Sequence, residues 1–309
     1  MNVAVIDIGS NSIKVLVAAR ALGGSLELLK LRTVDARISA GISRSNPSLS
    51  EAGMSAGLAA IESLLMDAAA YSPEKVVLVA TSAVRDASNG EEFRARVLAS
   101  TGHAIRILSG EEEANLIGRG LTCDPALKHL RNFYVFDLGG GSLECLAFRD
   151  RKIESAASLQ LGCVRLTETF VADPAQPITA ATLSTIDHHT RTTLEKSAFK
   201  FLLPPKSGAV ATGGTITVAR AILAARRGQT LEKSRPEVTV AELRELLASL
   251  SGLTLSERKT IVGLPPARAD VMPAALATLV AVAETGGIES YRHSLFNLRY
   301  GLADEALSA

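Results

Sequence analysis

The sequence predicts two consecutive α/β domains built on one duplicated plan, and three observations carry that reading. Residues 3–18 (VAVIDIGSNSIKVLVA) and 133–148 (FYVFDLGGGSLECLAF) repeat a pattern, in which aligning Asp7 with Asp137 also aligns Gly9 with Gly139, Ser12 with Ser142, Ile13 with Leu143 and Leu16 with Leu146. The offset from Asp7 to Asp137 is about the size of one domain. Around the copies, apolar strand-like runs alternate with helical periodicity, the pattern of helices covering a sheet. The 309 residues also suit about two domains at roughly 150 residues each.

Each copy reads as a β-hairpin: an apolar run, an Asp-x-Gly turn and a second apolar run. Turns of Gly, Ser and Asn can aim successive backbone N–H groups into one concavity that holds an anion. That makes Ser10, Asn11 and Ser12 in the first turn, and Gly139, Gly140, Gly141 and Ser142 in the second, candidate phosphate-binding residues. Along an outgoing strand, residues two apart share a face. Lys14 therefore lies on the face of Ser12, and Glu144 on that of Ser142. Lys14 suits a phosphate, whereas Asp137 and Glu144 suit a hard cation such as Mg²⁺, which takes one or two carboxylates plus substrate phosphates.

Between the hairpins, Met54, Leu58, Ile61, Leu64, Leu65 and Ala68 mark an amphipathic helix over 51–70, with Ser48 and Glu51 as a capping box. A buried strand follows at 75–80. A second capping box, Ser88 to Glu91, predicts a helix over 91–100, and a strand at 104–108 leads into SGEEEANLIGRGL. Ligands of α/β sheets gather beyond the carboxyl ends of strands, where Arg85 could clamp phosphate oxygens.

Capping chemistry separates three neighbouring glutamates. With Ser109 as N-cap, Glu112 falls at N3 and completes a capping box, and Glu111 gains only from the helix dipole. Glu113 is left to point elsewhere and could draw a proton from a water, general-base work worth typically about 10²–10⁴-fold.

In the second half, KIESAASLQLG continues the meander, a helix is expected near 164–171, and a long helix over 179–200 carries His188 and His189 on its surface. The strand GAVAT at 208–212 meets Gly213, Gly214 and Thr215 before an apolar helix, whose N-terminal amides favour phosphate. Thr239 and Glu242 cap another helix, a long apolar helix covers about 269–285, and the end reads as a strand and a terminal helix.

Composition narrows the function classes. With 47% hydrophobic and 21% charged residues, the chain is an ordinary globular protein, neither disordered nor collagen-like. Lys plus Arg is 33 against 32 Asp plus Glu, a balance that argues against a bulk nucleic-acid binder. No apolar stretch reaches the roughly 18–20 residues of a membrane span. Asn2 leads straight into an apolar strand with no basic n-region, so a cytoplasmic location without membrane partners is expected. Cys123, Cys145 and Cys163 form no CxxC pair and read as reduced structural thiols.

The motifs IDIGSNSIK (6–14), ATSAVRDA (80–87), ILSGEEEANL (107–116), FDLGGGSLE (136–144), LGCVRLTE (161–168), ATGGTIT (211–217) and GLPPARAD (263–270) occur in this order over nearly the whole chain. In them the sequence resembles the exopolyphosphatase and guanosine pentaphosphate phosphohydrolase (Ppx/GppA) family, in a short two-domain form. The resemblance implies two ribonuclease-H-like domains of the actin, hexokinase and heat-shock ATPase superfamily with an interdomain cleft. The domains would be 1–125 and 126–309, the terminal helix free to recross to the first. It implies Glu113 as catalytic base, Arg85 as a phosphate ligand, Asp137 and Glu144 as the acidic pair for Mg²⁺ or another divalent cation, and Gly213, Gly214 and Thr215 as a further phosphate turn. FNLRYGL, near the end, is less regular than the family's small-polar, Arg, Gly arrangement.

The expected activity is therefore hydrolysis of a terminal phosphoanhydride of polyphosphate or guanosine pentaphosphate, in a monomer or homodimer. A phosphotransferase would need an acceptor pocket, which the sequence does not show. A non-catalytic sensor of an alarmone nucleotide or polyphosphate would have no use for Glu113. The absence of Trp and only 4% aromatic residues leave little for stacking a nucleobase and favour polyphosphate.

Overall fold

The computed structural model describes residues 1–41 and 47–308, in two compact units: 1–129 with 296–309, and 130–295. The first unit opens with β1 (Asn2–Ile8), β2 (Ile13–Arg20) and β3 (Leu26–Val34). After α1 (Glu51–Ala69) come β4 (Lys75–Ala80), the single turn α2 (Ser82–Arg85), α3 (Gly90–Thr101), β5 (Ile105–Ile107) and α4 (Gly110–Thr122). The sheet order is β3-β2-β1-β4-β5, with β1–β2–β3 antiparallel and β1, β4 and β5 parallel. Apolar residues of β1 and β2 are buried on both faces, as central strands of a covered sheet require.

The second unit repeats this plan. The meander β6 (Phe133–Leu138), β7 (Leu143–Arg149) and β8 (Lys152–Leu159) precedes α5 (Cys163–Phe170) and α6 (Ala180–Lys196). Then follow β9 (Gly208–Thr212), α7 (Gly213–Arg226), β10 (Glu237–Thr239), α8 (Val240–Ser251), the single turn α9 (Leu255–Arg258), α10 (Met272–Gly286) and β11 (Ser290–His293). Its sheet runs β10-β11-β9-β6-β7-β8, so β8, β7, β6, β9 and β11 match β3, β2, β1, β4 and β5, with β10 added at the edge. Both units are thus ribonuclease-H-like α/β domains, each with its own apolar core.

The last helix, α11 (Leu298–Ser308), packs on α4 in the first unit. The two helices cross where both are glycine: a Cβ on Gly120 would lie 2.1 Å from the Asn297 carbonyl oxygen, and one on Gly301 1.9 Å from that of Leu116. Asp304 then pairs with Arg20 and Arg119 at 2.9 and 2.6 Å.

Two expected capping boxes are replaced. The N-cap of α1 is Ser50, whose hydroxyl accepts from Gly53 N–H, because the helix follows directly on Ser50. Asn89 rather than Ser88 stands before α3, and its side-chain amide bonds the backbone of Leu49 instead of the helix. The boxes at Ser109–Glu112 and Thr239–Glu242 are present, with a third at Thr254–Glu257. No helix among the described residues is long and apolar enough to cross a membrane, and the three cysteines are free thiols.

Candidate active site

The two hairpins share one register. In the first, Asp7 stands opposite Lys14 and Ile8 opposite Ile13; in the second, Asp137 stands opposite Glu144 and Leu138 opposite Leu143. Each turn closes in the same way, Gly9 N–H donating to the Ser12 carbonyl at 3.2 Å and Gly139 N–H to that of Ser142 at 3.0 Å.

The turn carbonyls are drawn to one side. Arg37 N–H donates to Asn11 O, and the Ser39 amide and hydroxyl donate to Ser10 O. In the second unit the N-terminus of α5 does this work: Cys163, Val164 and Arg165 amides donate to Gly139 and Gly140, and the Gly162 amide and Arg165 Nε to Gly141 O. A Cβ on Gly162 would lie 2.2 Å from the Gly141 carbonyl carbon, so only glycine permits this approach. A turn whose carbonyls are committed elsewhere is of the kind that can aim N–H groups at an anion. Asn11 adds a second sign. Its side chain is only 6% exposed, yet neither polar atom has a hydrogen-bond partner among the described residues. Such a group costs about 1–3 kcal/mol unless a ligand satisfies it.

The side chains diverge. Lys14 Nζ lies 3.6 Å from Asp7 Oδ2, a neutralised pair. Glu144 is 2% exposed and accepts from the Ser158 hydroxyl at 2.7 Å, while facing a second carboxylate across the ladder. Like charges directly opposite are destabilising. Asp137 and Glu144 therefore fit a divalent cation completed by substrate oxygens. Among the described residues no group of three His, Cys, Asp or Glu is placed to hold a metal ion.

Of the three glutamates at the start of α4, only Glu113 is buried, at 6% exposure. Glu112 is spent on the capping box, its carboxylate accepting from Ser109 N–H at 2.8 Å and from Arg106 at 2.9 Å. Those bonds, the backbone one foremost, hold its pKa below the usual carboxylate value. Glu111 is exposed. Arg85 Nη1 donates to Glu113 Oε2 at 3.1 Å and to the Leu108 carbonyl at 2.9 Å, and its Nε lies 3.4 Å from Asp86 Oδ1. The guanidinium expected to clamp phosphate thus also braces the carboxylate. Ser10 and Ser82 hydroxyls meet at 3.2 Å, tying the first turn to α2.

At the third turn, Gly213 has φ +85°, and a Cβ there would lie 2.1 Å from Asp137 Oδ1. A Cβ on Gly214 would lie 2.0 Å from Arg268 Nη1. Both glycines thus leave room for charged groups at the bare N-terminus of α7. The Thr215 hydroxyl is turned the other way, donating to Leu138 O at 3.2 Å, and anchors the turn to β6. Sequence reasoning did not single out Arg268, Gly162 or Ser158, although GLPPARAD and LGCVRLTE had marked the first two segments.

A sequence profile of the Ppx/GppA phosphatase family matches residues 16–309. The chain belongs to that family. It is 29% identical over 308 residues to the guanosine-5'-triphosphate,3'-diphosphate pyrophosphatase of Aeromonas salmonicida. That alignment covers 97% of this chain and 58% of the relative, so the chain spans little more than half the relative's length. Among solved structures, an exopolyphosphatase from Cytophaga hutchinsonii superposes with a TM-score of 0.89 at 21% identity, covering 100% of this chain and 98% of the other. The PPX-GPPA enzyme of Aquifex aeolicus superposes with a TM-score of 0.79 at 26% identity, covering 99% of both chains. Family and fold agree with the two-unit architecture.

Proposed function

We propose that this protein hydrolyses the terminal phosphoanhydride bond of inorganic polyphosphate and releases orthophosphate. The observation that carries this reading is Glu113, the buried glutamate of its cluster, held by Arg85 and relieved of capping duty by Glu112. In the reaction the Glu113 carboxylate accepts a proton from a water whose oxygen attacks the terminal phosphorus. The bond from that phosphorus to the bridging oxygen breaks, and its electron pair leaves with the shortened chain. Turn amides, Lys14 and Arg85 hold the phosphate oxygens. Phosphoryl transfer asks mainly for positioning and charge stabilisation, so no covalent nucleophile is needed. A divalent cation at Asp137 and Glu144, when bound, would neutralise charge on the phosphate oxygens.

A second reading, hydrolysis of the 5′-terminal phosphate of guanosine pentaphosphate, is favoured by the names of the Aeromonas relatives. The scarcity of aromatic side chains favours polyphosphate. Phosphate release from polyphosphates of several lengths, guanosine pentaphosphate and ATP in parallel separates the two, each with and without excess chelator. Fastest release from polyphosphate, abolished by chelator, is expected. Release from guanosine pentaphosphate alone establishes the second reading, and release from none refutes both.

A further inference from the structure

A line of hydrogen bonds runs behind the Gly213–Gly214 turn and takes no part in the reaction proposed above. It starts at Arg220, 9% exposed in the middle of α7. Nη2 donates to the Leu231 and Ser234 carbonyls, both at 2.7 Å, and Nε to the Arg235 carbonyl at 2.9 Å, so the guanidinium is clamped by the loop before β10. Its Nη1 reaches His293 Nδ1 at 3.1 Å. A guanidinium only donates, so Nδ1 accepts and the proton of the neutral ring sits on Nε2. Burial, with a smaller contribution from Arg220, pushes the His293 pKa down to about 4 and keeps the ring neutral. Nε2 lies 3.0 Å from Thr217 Oγ1, and the Thr217 hydroxyl donates to the Gly213 carbonyl at 2.7 Å.

From Arg220 Nη1 onward, each donor is directed to the next group on the way to the turn: Nη1 to His293, His293 Nε2 to Thr217, and Thr217 to the Gly213 carbonyl. The peptide between Gly213 and Gly214 is planar and trans, so its C=O and N–H point in opposite directions. Drawing the Gly213 carbonyl back along α7 turns the Gly214 N–H out of the helix start, where unpaired N–H groups hold anions. A glycine at φ +85° has little intrinsic preference for one orientation, which gives a second tether on its carbonyl something to do.

We infer that Arg220, His293 and Thr217 are positioning residues that hold the Gly213–Gly214 peptide so that the Gly214 N–H faces a phosphate group of the substrate. The inference rests on the reading of this turn as a phosphate site. The relay begins at a buried cation, and bonds in such a chain polarise one another, so each link strengthens the next.

The test compares Thr217→Val, which keeps shape and loses the hydroxyl, with Thr217→Ser, which keeps the hydroxyl. His293→Gln and His293→Leu make the same contrast one link back. Calorimetric Kd for inorganic tripolyphosphate, kcat and KM for its hydrolysis, the melting temperature and the Gly214 amide resonance are measured for each. Thr217→Val should weaken binding and kcat/KM by about tenfold, the scale of one charge-assisted hydrogen bond. It should also shift the Gly214 resonance in the ligand-free protein, and Thr217→Ser should restore both. A purely structural role would lower the melting temperature and leave Kd and the Gly214 resonance of the folded variant unchanged, which overturns the inference. Should Thr217→Val not fold, Thr217→Ala is read in the same way. A wild-type protein that neither binds nor cleaves tripolyphosphate refutes the proposed function, and the Gly214 resonance still decides the relay.

Discussion

In the first unit the turn carbonyls of Ser10 and Asn11 are held by the segment at 37–39, and in the second those of Gly139, Gly140 and Gly141 are held by the start of α5. Two unrelated pieces of chain thus secure one backbone shape. What differs is charge. Lys14 neutralises Asp7 across its ladder, whereas Asp137 faces Glu144. Both hairpins keep one turn shape and one register, and the side chains at matching positions differ, a cation paired with a carboxylate in one unit and two carboxylates in the other.

Acid should expose this asymmetry most strongly. Among the described residues, the second unit has a buried histidine, His293, and the first has none. The folded pKa of His293, about 4, lies below its unfolded value of 6.5, so the unfolded chain binds more protons between those values. Its contribution, on the order of 3 kcal/mol, is full above pH 6.5 and is lost as pH falls to 4. Hydrogen exchange followed across that window should therefore quicken in α7 and β11 before β1 and β2. Equal acceleration in both units would remove His293 from the explanation.

Glu144→Gln should lower turnover by about 10²-fold and raise the divalent cation concentration needed for half-maximal rate. Relief of the like-charge pair should leave the metal-free protein as stable as before, or more stable by about 0.2–1 kcal/mol. A fall in melting temperature without a change in cation dependence would make Glu144 a structural residue. Gly162→Ala drives a methyl into the Gly140–Gly141 backbone and should cost about 1–3 kcal/mol in thermal or denaturant melts. Lys14→Met should raise KM about tenfold with little change in kcat, as expected when a phosphate contact made equally in ground and transition states is lost. A kcat effect alone would move Lys14 from binding to chemistry.

Much of this was legible in the sequence because it depends on local chemistry. The paired hairpins, the capping boxes at Ser109 and Thr239 and the alternating strands and helices all follow from residues a few positions apart. The edge strands β3 and β10 were not foreseen: β3 is largely exposed and lacks the apolar run that marks β1. Ser48 and Ser88 fit the capping spacing, but which residue caps depends on where the chain turns, and Asn89 is taken by Leu49, forty positions away. Arg268 over Gly214, Gly162 against Gly141 and the Arg220–His293 contact are likewise long-range approaches without a local signature. That Glu113 is turned away from the capping duty of Glu112 was legible from local spacing, and its bond to Arg85 was not, because it joins α2 to α4.

The most direct measurement compares steady-state phosphate release by Glu111→Gln, Glu112→Gln and Glu113→Gln, with folding checked by thermal melting. Glu113→Gln keeps size and hydrogen bonding and loses the base, so turnover should fall by about 10²-fold or more with substrate binding near normal. Glu112→Gln preserves the capping box and should stay within a few-fold, and Glu111→Gln should be milder still. Loss of turnover in Glu112→Gln alongside an active Glu113→Gln would contradict the assignment of the buried glutamate as the base.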